Sequence, residues 1–159
     1  MRSMVMDQLT IAHRFAAAFN ARDVEQVIDV FATDVAYHDL FYGTFSGHAG
    51  LRTLFERMYA EGARSQWTMR TTTVSESRTV SEWGFEFTFS DRAPRGAGRT
   101  LRYDGVSVFE TRDDRCHTYR EYFDRTETLF AAGFAPESVS RIVRRRPSVH
   151  VELPNAETR

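Results

Sequence analysis

The chain has 159 residues, 42% hydrophobic and 13% aromatic, with 21 basic and 22 acidic side chains and a formal net charge of −1. That length supports one domain with a proper core and is short for two, and the balanced charge supplies no field to draw in nucleic acid or an anionic membrane. A lone cysteine, Cys116, excludes an internal disulfide, and with arginine as the only basic residue, lysine Schiff-base chemistry is excluded as well.

No stretch approaches the roughly 20 apolar residues that cross a bilayer, and the opening MRSMVMDQLT lacks the apolar run of a signal peptide. A soluble, cytoplasmic protein is expected.

Residues 7–19 place Leu9, Ala12, Phe15, Ala16 and Phe19 on one helical face, and Asn20 breaks the pattern. Asp23 and Gln26 form a capping box ahead of Val24, Val27, Ile28 and Phe31, predicting a second helix to about Ala32, antiparallel to the first. A short strand follows at Val35 to Leu40, then a loop rich in glycine and aromatics. A third helix is expected from about His48 to Ala60.

From Gln66 to Phe123 the pattern changes to four long strands, at about 66–76, 79–90, 98–110 and 115–123, joined by the polar turns RAPRGAG and RDDR. This is an antiparallel meander. In its second strand Trp83, Phe85, Phe87 and Phe89 share one face, which has to be covered. Alternation changes phase near Gly105, where a bulge is expected to curl the sheet. Asp124 and Glu127 form another capping box, with Gly133 as the stop of a short helix, and Pro136 to Arg145 suggests one more. Residues 1–134 then form a single domain, and 135–159 a C-terminal extension of short helix and tail. Arg144, Arg145 and Arg146 are read as the cationic end of a helix meeting its dipole. SVHVELPNAETR is a loose strand or disorder. Helices first and a meander afterwards make an α+β layout.

Carboxylates on an otherwise apolar strand face mark a possible site. Val35, Tyr37 and Asp39 share a face of the first strand; His117, Tyr119, Glu121 and Phe123 share one of the last, with Cys116, Thr118, Arg120 and Tyr122 opposite. If both faces line one interior, desolvation raises the carboxyl pKa values towards the range a general acid or base needs. Two roles are open to each: Asp39 at a strand end also suits a turn cap, and Glu121 between Arg120 and Arg125 also suits a surface ion pair. Histidine spacing gives no metal site, no Gly-rich loop suggests a nucleotide, and no cofactor is expected. Cys116 lacks a histidine partner for thiol catalysis.

Three blocks, FNARDVEQVIDVFATDVAYHDLF, FSGHAGLRTLF and VSVFETRDDRCHTYREYFD, resemble in order and spacing those of the SnoaL-like polyketide cyclases within the nuclear transport factor 2-like superfamily, over about residues 7–132. The resemblance implies a cone-shaped, curved antiparallel sheet wrapped around three N-terminal helices (the cystatin-like fold), a pocket at the wide end, and homodimers formed through the sheet. Against the ketosteroid isomerases, Asp39 takes the place of the proton-shuttling aspartate, with Phe15 and Ser107 where the oxyanion hole stands. Against limonene-type epoxide hydrolases, Tyr37, Asp39 and Glu121 take the water-positioning places and Glu86 lies in the preceding long strand. The expected activity is cofactor-independent cyclisation or isomerisation of an apolar, oxygenated small molecule. Asp39 and Glu121 are the proton-transfer pair, with Tyr37, Tyr119 and His117 orienting substrate and Phe15, Trp67, Trp83 and Phe123 supplying the aromatic lining. Epoxide hydrolysis and a non-catalytic ligand-binding dimer are the alternatives.

Overall fold

Asp23 accepts from the Gln26 N–H at 3.1 Å and so starts α2 (Val24–Asp29), which follows α1 (Arg2–Asn20). The computed structural model to which these elements belong describes residues 2–152, with side chains from Ile11 onwards; the Leu9 side chain and the end of the predicted tail, residues 153–159, lie outside what it describes. α2 is shorter than the sequence predicts. Arg115 caps its C-terminus through the Asp29 carbonyl and carboxylate, the Val30 carbonyl accepts from the Cys116 N–H at 3.0 Å, and Phe31 opens a strand instead. That strand is β1 (Phe31–Asp39). The glycine- and aromatic-rich segment read as a loop contains a second, β2 (Gly43–Ser46), paired antiparallel to β1.

α3 (Gly47–Glu61) buries Leu51, Leu54, Phe55 and Met58 and leads into the meander β3 (Gly62–Val74), β4 (Arg78–Phe89), β5 (Thr100–Arg112) and β6 (Arg115–Tyr122). Asp113 and Asp114, both at positive φ, make the tight turn between β5 and β6. α4 (Arg125–Ala131), capped by Asp124, stops at Gly133 (φ +89°), and α5 (Pro136–Arg145) begins with its proline in the first turn.

The six strands form one curved sheet in the order β2-β1-β6-β5-β4-β3, an α+β, cystatin-like fold of the nuclear transport factor 2 kind. One junction is parallel: β1 runs alongside β6 with Tyr37 opposite Tyr119 and His38 opposite Arg120. Alternation holds along β4, where Thr79, Ser81, Trp83, Phe85, Phe87 and Phe89 are all buried. The inner face packs on α1 and α3 through a continuous aromatic core in which Phe15 touches Trp67 (4.9 Å between ring centroids), Phe31, Phe55 and Phe109. The outer face is ionic: Arg70 pairs with Asp104, Arg102 with Glu86, and Arg78 and Arg120 with Glu110. No helix among the described residues is long and apolar enough to cross a membrane.

The curl does not arise at Gly105, as the sequence suggested. β4 and β5 stay in register through the Trp83–Gly105 pair; the irregularities lie in β3, between Gly62 and Arg64 and between Met69 and Thr72, in the β1–β6 junction between Phe31 and Ala36, and in the β5–β6 pairing between Glu110 and Thr111. Gly105 serves close approach instead, because a Cβ there would lie 2.4 Å from the Trp83 ring.

Candidate active site

The parallel register that sets Tyr37 beside Tyr119 carries the next inward residues, Asp39 and Glu121, to neighbouring positions at the strand ends. Both are buried, at 7% and 4% exposure, and both open onto one cavity of about 440 Å³ counted out to its mouth. The remaining wall is almost wholly apolar: Phe41 and Tyr42 from the β1–β2 turn, Met58 from α3, Trp67 from β3, Trp83, Phe85, Phe87 and Phe89 from β4, Leu101 and Tyr103 from β5, and Phe123 after β6.

The two carboxylates are held differently. Asp39 Oδ1 accepts from the N–H groups of Phe41 at 2.8 Å and Tyr42 at 2.7 Å, so the turn-capping role and the cavity-facing role fall to the same residue. Glu121 Oε1 accepts from the Leu40 N–H at 3.1 Å, and Oε2 accepts from the Tyr119 hydroxyl at 2.9 Å. Behind them runs a buried chain. An indole N–H can only donate, so Ser107 accepts from Trp83 Nε1 at 2.7 Å, passes its own proton to the Tyr119 oxygen at 2.7 Å, and Tyr119 donates to Glu121. The reverse polarity would leave the buried serine proton with no acceptor among the described contacts.

Neither carboxylate forms an ion pair among the described residues, which sets aside the surface-pair role for Glu121. Burial pushes Asp39 up to about 6, its two backbone hydrogen bonds and the charges of Arg146 and Arg57 restraining the rise. Burial and the Asp39 charge push Glu121 well above the usual carboxylate range. Two such groups share protons as a pair. Glu121 is pushed the further of the two from its ordinary value, so it keeps its proton more strongly and Asp39 gives one up first.

The other sequence-predicted residues divide. Trp67, Trp83 and Phe123 line the cavity with the carboxylates. Phe15 does not; fully buried, it backs Trp67 from the core side. Tyr37 and Tyr119 are fully buried and stacked at 4.2 Å beneath the site rather than on its wall; the Tyr37 hydroxyl makes no hydrogen bond of normal geometry. His117 is the one whose predicted face is wrong. Glu110 pairs with Thr118 but Thr111 pairs with Cys116, so His117 is an extra residue in β6. The bulge turns Cys116 into the core and His117 outward, where Nδ1 lies 3.1 Å from Arg112 Nη2 and 3.6 Å from Asp34.

Sequence reasoning missed Tyr103. It lines the cavity, its hydroxyl makes no hydrogen bond among the described residues, and burial with the charges of Glu121 and Asp39 pushes its pKa far up, so it is a neutral donor. Leu101 and Tyr103 alternate towards the interior, a signal present in the sequence. Tyr42, by contrast, is committed: its hydroxyl donates to Glu61 Oε2 at 2.8 Å, and Arg57 bonds the other oxygen at 2.8 Å. Trp67 is anchored by Asn20, whose side-chain amide bonds both its N–H and its carbonyl, while its buried indole N–H has no partner among the described residues.

Comparison with known proteins accords with this geometry. The SnoaL-like domain description matches residues 12–118. No curated protein matches significantly. Among solved structures, a candidate polyketide cyclase from Xanthomonas campestris pv. campestris is 18% identical, with a TM-score of 0.70 over 82% of this chain and 99% of that one. TerC, co-crystallised with polyporic acid, is 21% identical, with a TM-score of 0.68 over 80% of this chain and 99% of its own. A LEH-like epoxide hydrolase from M. tuberculosis is 17% identical, with a TM-score of 0.66 over 80% and 90%. At these identities the likeness is one of fold. With the domain match spanning most of the chain and the curved sheet enclosing a cavity at its strand ends, the protein belongs to the SnoaL-like domain family.

Proposed function

We propose that this chain is a cofactor-independent acid/base enzyme that moves a proton on an apolar, oxygenated small molecule, leading to cyclisation or isomerisation. The observation that carries this reading is the pair Asp39 and Glu121, buried without ion pairs among the described residues on the wall of one aromatic cavity. In such surroundings a carboxylate is a far stronger base than in water, and its neighbour keeps the proton it needs to act as an acid.

Asp39 takes a proton from an acidic C–H or O–H of the substrate, and the electron pair of that bond moves onto a conjugated oxygen. Both oxygens of Glu121 already accept a protein hydrogen bond, so its acid proton is free for the cavity and is delivered to the carbon or oxygen where the product needs it. Tyr103 donates to the substrate oxygen as charge gathers there. The aromatic walls bind the apolar body and exclude water. Likeness in fold to a candidate polyketide cyclase and to an epoxide hydrolase supports small-molecule chemistry of this class.

The test is hydrogen–deuterium exchange at the acidic position of aromatic β-dicarbonyl compounds, followed by NMR in heavy water. Catalysed exchange that falls by roughly 10²–10⁴-fold in Asp39→Asn supports the reading. Incorporation of labelled water oxygen into an epoxide substrate would favour the hydrolase instead. No turnover, with ligand affinity unchanged in Asp39→Asn and Glu121→Gln, would make the protein a binding module.

A further inference from the structure

The matched family domain ends at residue 118, and the candidate cyclase is covered to 99% by only 82% of this chain, so part of the chain is additional to that fold. The segment after β6 returns to the site. Arg146, just past the end of α5, donates from Nη2 to the Phe41 carbonyl at 3.1 Å. Its Nη1 sits 2.9 Å from where a side chain on Gly43 would begin, and Gly43, at φ +113°, leaves that space empty. The same short turn supplies the Phe41 and Tyr42 N–H groups that bind Asp39. A second hold comes from Phe134, between α4 and α5, which meets the Phe41 ring edge-on at 6.0 Å while the Arg95 guanidinium lies 4.8 Å from the centre of its own ring.

We propose that Arg146 is a positioning residue of the acid/base site: it clamps the outer side of the Phe41–Gly43 turn whose inner side grips Asp39, so the C-terminal extension completes the site. The proposal rests on the acid/base reading for its catalytic meaning only.

The charges around Asp39 make Arg146 the effective cation. Glu121 from β6, Tyr37 from the same strand, Tyr103 from β5, and Tyr42 with its partner Glu61 bring no positive charge. Arg57 of α3 does, but it is bonded to Glu61 at 2.8 Å. Arg146 makes no ion pair among the described residues; its own burial and its cationic neighbour Arg125 act against it, and Asp39 favours it. Its guanidinium therefore joins a mechanical hold on the turn to an electrostatic hold on the base.

The experiment uses the full chain and needs no substrate. Asp39 is titrated by carboxyl-carbon NMR, and amide exchange of Phe41 and Tyr42 is followed, in wild type, Arg146→Met and Arg146→Lys. Arg146→Met is expected to raise the Asp39 midpoint by roughly half a unit to one unit and to speed both amides about tenfold. Arg146→Lys is expected to return the midpoint towards wild type through its charge. Should Arg146→Met fail to fold, Arg146→Gln provides the same comparison. An unchanged midpoint with unchanged amide protection overturns the proposal even if Asp39 is proved catalytic. The expected shifts sustain it even if no turnover is found, a result that would count against the acid/base reading alone.

Discussion

The Tyr119 hydroxyl donates to Oε2 of Glu121 at 2.9 Å, and it holds that orientation because Ser107, fixed by Trp83, donates to it from behind. Breaking the chain at Tyr119 leaves Glu121 buried with one hydrogen bond fewer to its ionised form. Tyr119→Phe is therefore expected to raise the Glu121 midpoint further and to extend to higher pH the range over which it holds its proton. Carboxyl-carbon titration reads this directly, and a lowered midpoint would refute the assigned polarity.

Because burial pushes Asp39 up to about 6 and Glu121 well above the usual carboxylate range, turnover is expected to rise with pH through about 6 as Asp39 loses its proton. It should fall again only when Glu121 ionises. Asp39→Asn abolishes the acidic limb and Glu121→Gln the alkaline one. A pH–rate profile whose acidic limb survives Asp39→Asn assigns the base elsewhere.

The same burial has a stability consequence. Folded Asp39 binds its proton up to about 6, whereas the unfolded side chain releases it near the ordinary 3.8, so between those values the native state holds more protons. Stability therefore falls as pH rises through that window, by roughly 2–3 kcal/mol in total. An asparagine in place of Asp39 would retain the acceptor for the Phe41 and Tyr42 amides without the charge. Asp39→Asn is expected to be more stable than wild type at pH 8 and equal to it at pH 4, measured by denaturant unfolding. A loss of stability at pH 8 would mean that the carboxylate is better solvated than its surroundings imply.

Tyr103→Phe removes a cavity donor that no described protein group uses. The expected loss is about 10–100-fold in kcat, with thermal stability within about 0.5 kcal/mol of wild type. A change confined to KM, with kcat intact, would make Tyr103 a binding group only.

Gly105→Ala is expected to destabilise by about 1–3 kcal/mol, since the new methyl would lie 2.4 Å from the Trp83 ring and 2.7 Å from the Tyr122 carbonyl. Relief by a simultaneous Trp83→Phe, measured as a double-mutant cycle, would locate the strain at that contact.

Strand alternation made much of the site readable. Asp39 after Val35 and Tyr37, and Glu121 among aromatics, are local patterns of period two, and both point where that period puts them. What failed was depth and phase. Phe15 points inward and packs against Trp67 of the cavity wall, but a single sequence does not say which rings meet the void and which lie one layer behind it. One inserted residue at His117 reverses the face of everything before it in β6, and a bulge of that kind leaves no compositional trace. Arg146 was out of reach for a third reason: its contact with Phe41 spans 105 positions, and locally it reads as a helix terminus.

The parallel pairing of β1 with β6 also bears on how the molecule is made. Leu40 and Glu121 are 81 positions apart, and no hairpin can bring them together, whereas β3 to β6 can zip through short turns. Loop-closure entropy delays such distant contacts. A nascent chain can hold its meander and most of its hydrophobic layer while the two acidic groups remain separate, in water, and chemically ordinary. The shared burial of Asp39 and Glu121 exists only once β1 lies against β6, so neither carboxyl has its perturbed surroundings before that pairing is made.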